Sequence, residues 1–198
     1  MKHFISTVIL AFSLTMGAYA QETIVTMATE KAAGEIVNIV LAWTGEGTIT
    51  FNGAMLNNGY DHINEITVPA NQTIELVATG NAELLILGCD NQRITSLDVT
   101  SCIGLQELYC NDNLLTKLNV TQCKALIKLG CDNNNFTELD LTHCTALTDL
   151  ACQNISLESL DVTQCPALLY LSCPSNQLKS LDITQCSMLY TLRCNSRG

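Results

Sequence analysis

From Leu84 onward the apolar positions recur at a fixed interval: Leu84, Leu105, Leu126, Leu147, Leu168 and Leu189 stand 21 residues apart. Cys89, Cys110, Cys131, Cys152, Cys173 and Cys194 keep the same spacing, and Cys102, Cys123, Cys144, Cys165 and Cys186 form a second column. The unit reads L-x-x-L-x-C-x-x-N-x-L-x-x-L-D-V-T-x-C-x-x. Its best copy runs through Leu105, Leu108, Cys110, Asn113, Leu115, Leu118, Val120, Thr121 and Cys123. Side chains that all fall into columns of one period belong to stacked coils rather than to a small cross-linked fold.

Each coil predicts two walls. Leu108-Tyr109-Cys110 alternates, with Leu and Cys on one side and Tyr on the other, so this segment reads as a short strand. Stacked copies make a parallel sheet with one buried face. Leu115, Leu118 and Val120 then return the chain along the opposite wall, where only neighbouring coils can cover them. Burying one leucine contributes roughly 1.5–3 kcal/mol against a chain-ordering cost of similar total size, so a single coil cannot fold alone. Asn113, Asn134 and Asn176 follow the strand cysteine by three residues, where a short amide can satisfy backbone groups that have left the sheet. Gln92, Ile155 and Arg197 occupy that place in other copies. Ile155 offers no such bonds, and local irregularity is expected there.

Ahead of the array the texture changes. Thr23-Ile24-Val25-Thr26, Ile36-Val37-Asn38-Ile39-Val40, Thr48-Ile49-Thr50-Phe51, Ile66-Thr67-Val68 and Thr73-Ile74-Glu75-Leu76-Val77 read as five short strands. A β-unit of about 60 residues is marginal alone, and docking on the first coil would protect both. The competing reading is a carbohydrate-binding module using Trp43 and Tyr60.

The repeat resembles the leucine-rich-repeat family, specifically the short-repeat surface proteins of Bacteroidetes-type bacteria and, more distantly, the internalins. The likeness covers residues 84 to 198, and Leu97-Asp98-Val99-Thr100 and Leu160-Asp161-Val162-Thr163 carry its return segment. The family's usual form has Asn where this chain has its second cysteine column. What the resemblance implies is a secreted or surface-held protein that binds other macromolecules. The expected fold is an α/β-type repeat solenoid, mostly parallel β with irregular or short helical turns. It would comprise a signal peptide over 1–20, a β-rich N-terminal capping domain over 21–81, and a solenoid over 82–198 of about five and a half repeats.

The first residues bear on compartment. Met1-Lys2-His3, an apolar run from Phe4 to Met16 and Ala18-Tyr19-Ala20 have the layout of a secretory signal peptide cleaved after Ala20. The run is shorter than the roughly 18 residues that span a bilayer, so no membrane span is expected after cleavage. The chain stops within a repeat at Arg193-Cys194-Asn195-Ser196-Arg197-Gly198, which reads as a fragment of a longer product or an end that pairs with another molecule.

Charge excludes some partners. With 19 Asp plus Glu against 9 Lys plus Arg, the chain lacks the basic face that nucleic acid or anionic lipid requires. Eleven cysteines invite a disulfide ladder, a metal site or a nucleophile. Parallel side chains within one column suit disulfides poorly, and alternating intervals of 13 and 8 do not suit structural zinc. Buried, mostly reduced thiols acting as small apolar groups are expected. His143 beside Cys144 points to the opposite side of an extended segment, and His62 has no partner in the sequence. Asp98, Asp140, Asp161 and Asp182, with Asn119 in the matching place, would cap turns; calcium needs more oxygens than the column supplies. No cofactor, metal site or enzymatic activity is expected.

The positions flanking the strand leucine should face an exposed, concave sheet: Glu107, Lys128, Asp149, Tyr170 and Thr191 before it, and Tyr109, Gly130, Ala151, Ser172 and Arg193 after it. Their chemistry changes from coil to coil while the core positions repeat. Exposed aromatics and arginine favour recognition, so Glu107, Tyr109, Lys128, Asp149, Tyr170, Arg193 and the nearby Tyr190 are the candidate binding residues for a protein or glycoprotein ligand, with adhesion as one role. The rival function is a structural spacer.

Overall fold

A computed structural model describes residues 22–195, except the side chains of Tyr60 and Asp61. The signal segment and Arg197 lie outside the described residues. Six strands precede the array: β1 (Glu22–Thr29), β2 (Ile36–Thr44), β3 (Ile49–Phe51), β4 (Ala54–Met55), β5 (Gly59–Thr67) and β6 (Thr73–Ala78). Two follow in the first copy of the repeat, β7 (Glu83–Gly88) and β8 (Ile94–Asp98). Each later coil contributes one: β9 (Glu107–Tyr109), β10 (Lys128–Gly130), β11 (Asp149–Ala151), β12 (Tyr170–Ser172) and β13 (Thr191–Arg193). The described residues contain no helix, so the return wall takes the irregular form of the two anticipated. The result is a β-solenoid of about five turns with a 21-residue period.

The parallel strands β7 and β9 to β13 pair in step, with Leu87, Leu108, Leu129, Leu150, Leu171 and Leu192 in register. The first five of these leucines are buried. β7 is the junction: β9 lies parallel on one side, and β2 lies antiparallel on the other, with Leu41 opposite Leu87. One eight-stranded sheet therefore runs from β5 through β2 and β7 to β13. On the opposite wall β8 pairs antiparallel with β1, Met27 opposite Leu97, within a five-stranded sheet ordered β4-β3-β6-β1-β8. A single hydrophobic core passes from Met27, Ile39 and Ile74 into the leucines and cysteines of the coils.

All five strand segments ahead of the array are present. β5 begins at Gly59, well before Ile66, because pairing with β2 extends a segment whose own pattern is not apolar. β4 was not anticipated. It follows from Asn52-Gly53, whose φ values of 50° and 79° make the two-residue turn that reverses β3 onto β4.

The amide ladder fastens successive coils. Nδ2 of Asn134 donates to the carbonyls of Cys110, one coil back, at 2.9 Å and of Cys131, in its own coil, at 3.0 Å, while its Oδ1 accepts from Leu115 N–H at 3.1 Å. Asn113 and Asn176 repeat this pattern. At the head of the array the ladder meets β-structure instead of a coil, and the longer Gln92 spans the difference. Its Oε1 accepts from Asn38 N–H in β2 at 2.9 Å and from Lys31 Nζ at 2.8 Å.

The expected irregularity at Ile155 is a backbone one. In the five copies where it is described, the residue two beyond the strand cysteine is left-handed: Asn91, Asp112, Asn133, Asn154 and Ser175, with φ between 53° and 57°. Where the ladder asparagine is replaced a second left-handed residue follows, Arg93 after Gln92 (56°) and Ser156 after Ile155 (62°). Ile155 itself is fully buried, so the coil exchanges an amide for apolar packing.

The described cysteines are all free thiols, buried except Cys194. In the second column Cys123, Cys144 and Cys186 direct their sulfhydryls to the carbonyls of Val99, Val120 and Val162 one coil back, at 3.6, 4.0 and 3.5 Å. Cys102 has no such coil behind it, and donates instead to Ile24 of β1 at 3.2 Å. Burial pushes Cys89 and Cys165 up to about 12 and Cys123 and Cys144 up to about 11, which keeps them protonated at neutral pH.

Candidate functional site

The outer side of the long sheet carries two rows. Glu107, Lys128, Asp149, Tyr170 and Thr191 align in register, as do Tyr109, Gly130, Ala151, Ser172 and Arg193. The alternation of the strand places them opposite the buried leucines. Six of the seven candidate residues therefore share one face. Tyr190 belongs to neither row: it precedes β13 and stands at the rim, 91% exposed.

The two rows differ in bulk. Along the second row, Gly130, Ala151 and Ser172 form a low floor between Tyr109 and Arg193. A β-carbon on Gly130 would lie 2.9 Å from Asn111 Nδ2 and 3.2 Å from Tyr109 Cδ1, so glycine is what allows the Tyr109 ring and Asn111 to close over this floor. The result is an open depression of about 240 Å³ above Gly130 and Ala151, bordered by Tyr109, Lys128, Asp149 and Tyr170. Asn111 and Asp132 border it from the following positions of their coils.

The rim is pre-arranged. Lys128 Nζ lies 3.1 Å from Glu107 Oε1, and the Tyr109 hydroxyl donates to Glu107 Oε2 at 2.8 Å. Glu107 thus holds two neighbours of the depression at once. Asp149 Oδ2 accepts from the Thr148 hydroxyl at 2.6 Å. At the far end the Arg193 guanidinium stands 6.0 Å over the Tyr170 ring, within reach of a cation–π attraction.

A further set of columns borders this face and was not anticipated. Asp90 Oδ1 accepts from Asn111 N–H at 2.7 Å, and Asn111 Oδ1 accepts from Asp132 N–H at 2.9 Å. Asp132 in turn accepts from Gln153 N–H. Beside it, Asn154 donates to Asn133 and Asn133 to Asp112 at 3.0 and 2.8 Å. Asp90, Asn111, Asp132 and Gln153 keep the 21-residue interval, so the signal existed once polar positions were aligned as the apolar ones were. Partial burial raises the carboxyls of Asp90 and Asp132 above their ordinary range despite these bonds.

The other aspartate column behaves as a turn cap. Oδ1 of Asp98, Asp140 and Asp161 accepts from both the backbone N–H and the hydroxyl of the threonine two residues on, at 2.6 to 2.9 Å. Asn119 makes the same pair of bonds to Thr121, and Asp182 caps Thr184 N–H at 2.9 Å. These bonds hold the carboxyls of Asp98, Asp140, Asp161 and Asp182 below the usual range. Among the described residues no group of three or more His, Cys, Asp or Glu side chains is arranged to hold a metal ion. Cys144 is buried and protonated while His143 is exposed, so the two do not form a nucleophile and base. Trp43 donates its indole N–H to Gly47 O at 3.3 Å, and Asn58 clasps its backbone from both sides. The Tyr60 side chain lies outside the described residues.

No family model and no curated protein matches the chain. Among solved structures it is similar to the functional domain of InlJ from Listeria monocytogenes, a structure described as including a cysteine ladder. The two are 36% identical with a TM-score of 0.55, over 64% of this chain and 28% of that one. The chain thus spans little more than a quarter of the length of the protein it resembles. Taken with the coil register and the period, this similarity defines the fold as an internalin-like leucine-rich-repeat solenoid.

Proposed function

We propose that the protein is an exported, non-enzymatic scaffold that recognises a protein or glycoprotein through the outer side of its long sheet, with adhesion as the role this suits. The observation that carries the reading is a contrast within single strands. The inward leucine is the same in every coil, whereas the outward pair changes from Glu and Tyr to Lys and Gly, Asp and Ala, Tyr and Ser, then Thr and Arg. Packing dictates the first and leaves the second available for contact. Tyrosine and arginine anchor protein interfaces more often than other residues, and both occur on this face. The internalin-like fold supports protein interaction as its general use. The signal-like first residues support export, and no helix among the described residues is long and apolar enough to cross a membrane.

The test is direct binding of the full chain and its Tyr109→Ala/Tyr170→Ala/Arg193→Ala variant to an array of purified extracellular proteins and glycoproteins. Binding by the parent that the variant loses, with melting unchanged, supports the sheet face as the recognition surface. Equal binding by the two moves recognition elsewhere. Binding by neither favours a spacer that holds another part of a larger protein.

A further inference from the structure

The depression above Gly130 and Ala151 is more specific than its surroundings, and we infer that it receives the guanidinium group of an arginine side chain on the protein partner. This rests on the scaffold reading above and gives it a ligand chemistry. The argument begins with shape. Gly130 and Ala151 are adjacent in register, and the low floor they make is closed at one end by the Tyr109 ring. Its volume of about 240 Å³ suits one long side chain rather than a backbone segment or a folded loop.

Charge narrows the occupant. Two carboxylates border the floor, Asp149 in the first row and Asp132 beyond the second, and a third, Glu107, stands behind Lys128 and Tyr109. The ammonium of Lys128 is engaged with Glu107 at 3.1 Å, so the balance is negative. An anion would be repelled, and an apolar side chain would strip water from carboxylates without replacing it. A cation answers the charge. Between the two cations that proteins offer, the rings decide: Tyr109 and Tyr170 both border the depression, and a flat, weakly hydrated guanidinium packs on aromatic rings while its N–H groups fork toward carboxylates. The protein makes one such contact itself, since Arg193 stands over the opposite end of this face against Tyr170 at 6.0 Å.

The experiment titrates the 15N-labelled full chain with three blocked pentapeptides of alanine whose central residue is arginine, citrulline or lysine. Citrulline keeps the shape and removes the charge. The expected result is saturable shifts of the Gly130, Leu150 and Ala151 amides with the arginine peptide, at an affinity about fivefold or more above citrulline and above lysine. An Ala151→Leu variant fills the depression from the solvent side. It should keep its spectrum elsewhere and lose these shifts. Equal response to citrulline, no response to arginine, or an unaltered response in Ala151→Leu overturns the inference. If the triple variant loses a protein partner that Ala151→Leu still binds at full affinity, the scaffold stands and the arginine pocket falls.

Discussion

Ile155 occupies the ladder position without an amide, and Ser156 beside it takes a φ of 62°. The equivalents of Ser156 in coils that have the amide, Leu114, Asn135 and Gln177, donate backbone bonds to Ile94, Leu115 and Leu157 at 2.8 Å and are not left-handed. Losing the asparagine therefore changes the path of the next residue. The left-handed region disfavours a side chain by roughly 1–2 kcal/mol, which glycine avoids. Ser156→Gly should stabilise the protein by about 0.5–1 kcal/mol in urea denaturation, the range found for relieving such strain. Asn135→Gly, made where φ is ordinary, should destabilise it by about as much.

The ladder amides themselves carry more. Asn134→Ala removes the donor to Cys110 and Cys131 and the acceptor for Leu115 N–H in a buried setting. A loss of about 2–4 kcal/mol is expected from stranding several buried backbone groups. Hydrogen exchange would show the damage at Leu115. An Asn134→Ala variant as stable as the parent would mean that the bonds are idle.

Thiol reactivity separates one cysteine from the rest. Ten cysteines are buried, and burial pushes Cys89, Cys102 and Cys165 up to about 12 and Cys123, Cys144 and Cys173 up to about 11, while Cys194 is exposed. Thiolates react and thiols do not. An aromatic disulfide reagent at pH 8 should titrate one thiol rapidly in the native chain and all eleven in denaturant. Cys194→Ser should abolish the fast phase.

The two sets of aspartates pull stability in opposite directions with pH. Asp132 has a raised carboxyl, so the folded chain holds that proton more tightly than the unfolded one. Its contribution is most favourable below the unfolded value and is lost as pH rises through the folded value. Asp132→Asn, which keeps an oxygen for Gln153 N–H, should gain up to about 1 kcal/mol at pH 7, the scale of a partly solvated charge. The gain should fade in acid. Asp161 is lowered by its threonine, so its contribution is present above the unfolded value and lost as pH falls through the folded one. Asp161→Ala should therefore lower the melting temperature at pH 7, by an amount that shrinks in acid. A melting series over pH checks both.

The coil was legible because packing repeats: the leucine, cysteine and asparagine columns name its core, and the aspartate caps follow from Asp98-x-Thr100 and its copies. Short-range chemistry also marks β3 and its Asn52-Gly53 turn, although β4 is too brief to show a pattern. What stayed hidden has no local signature. Nothing in Leu41 or Leu87 announces that they will face one another, and that antiparallel pairing is what joins the first strands to the array in one sheet. Gln92 looked like a defect of the ladder and is its extension into β2. The candidate face was readable from alternation, but the depression was not, because it depends on how Tyr109 leans over Gly130.

Coils are bonded to one another on both walls, Cys110 N–H to Gly130 O on one and Asn135 N–H to Leu115 O on the other, each at 2.8 Å. Along the sheet, successive coils advance by a strand spacing of about 4.8 Å. The outer face is thus graduated coil by coil, and gain or loss of one 21-residue unit lengthens or shortens it by a single graduation without disturbing the marks already there.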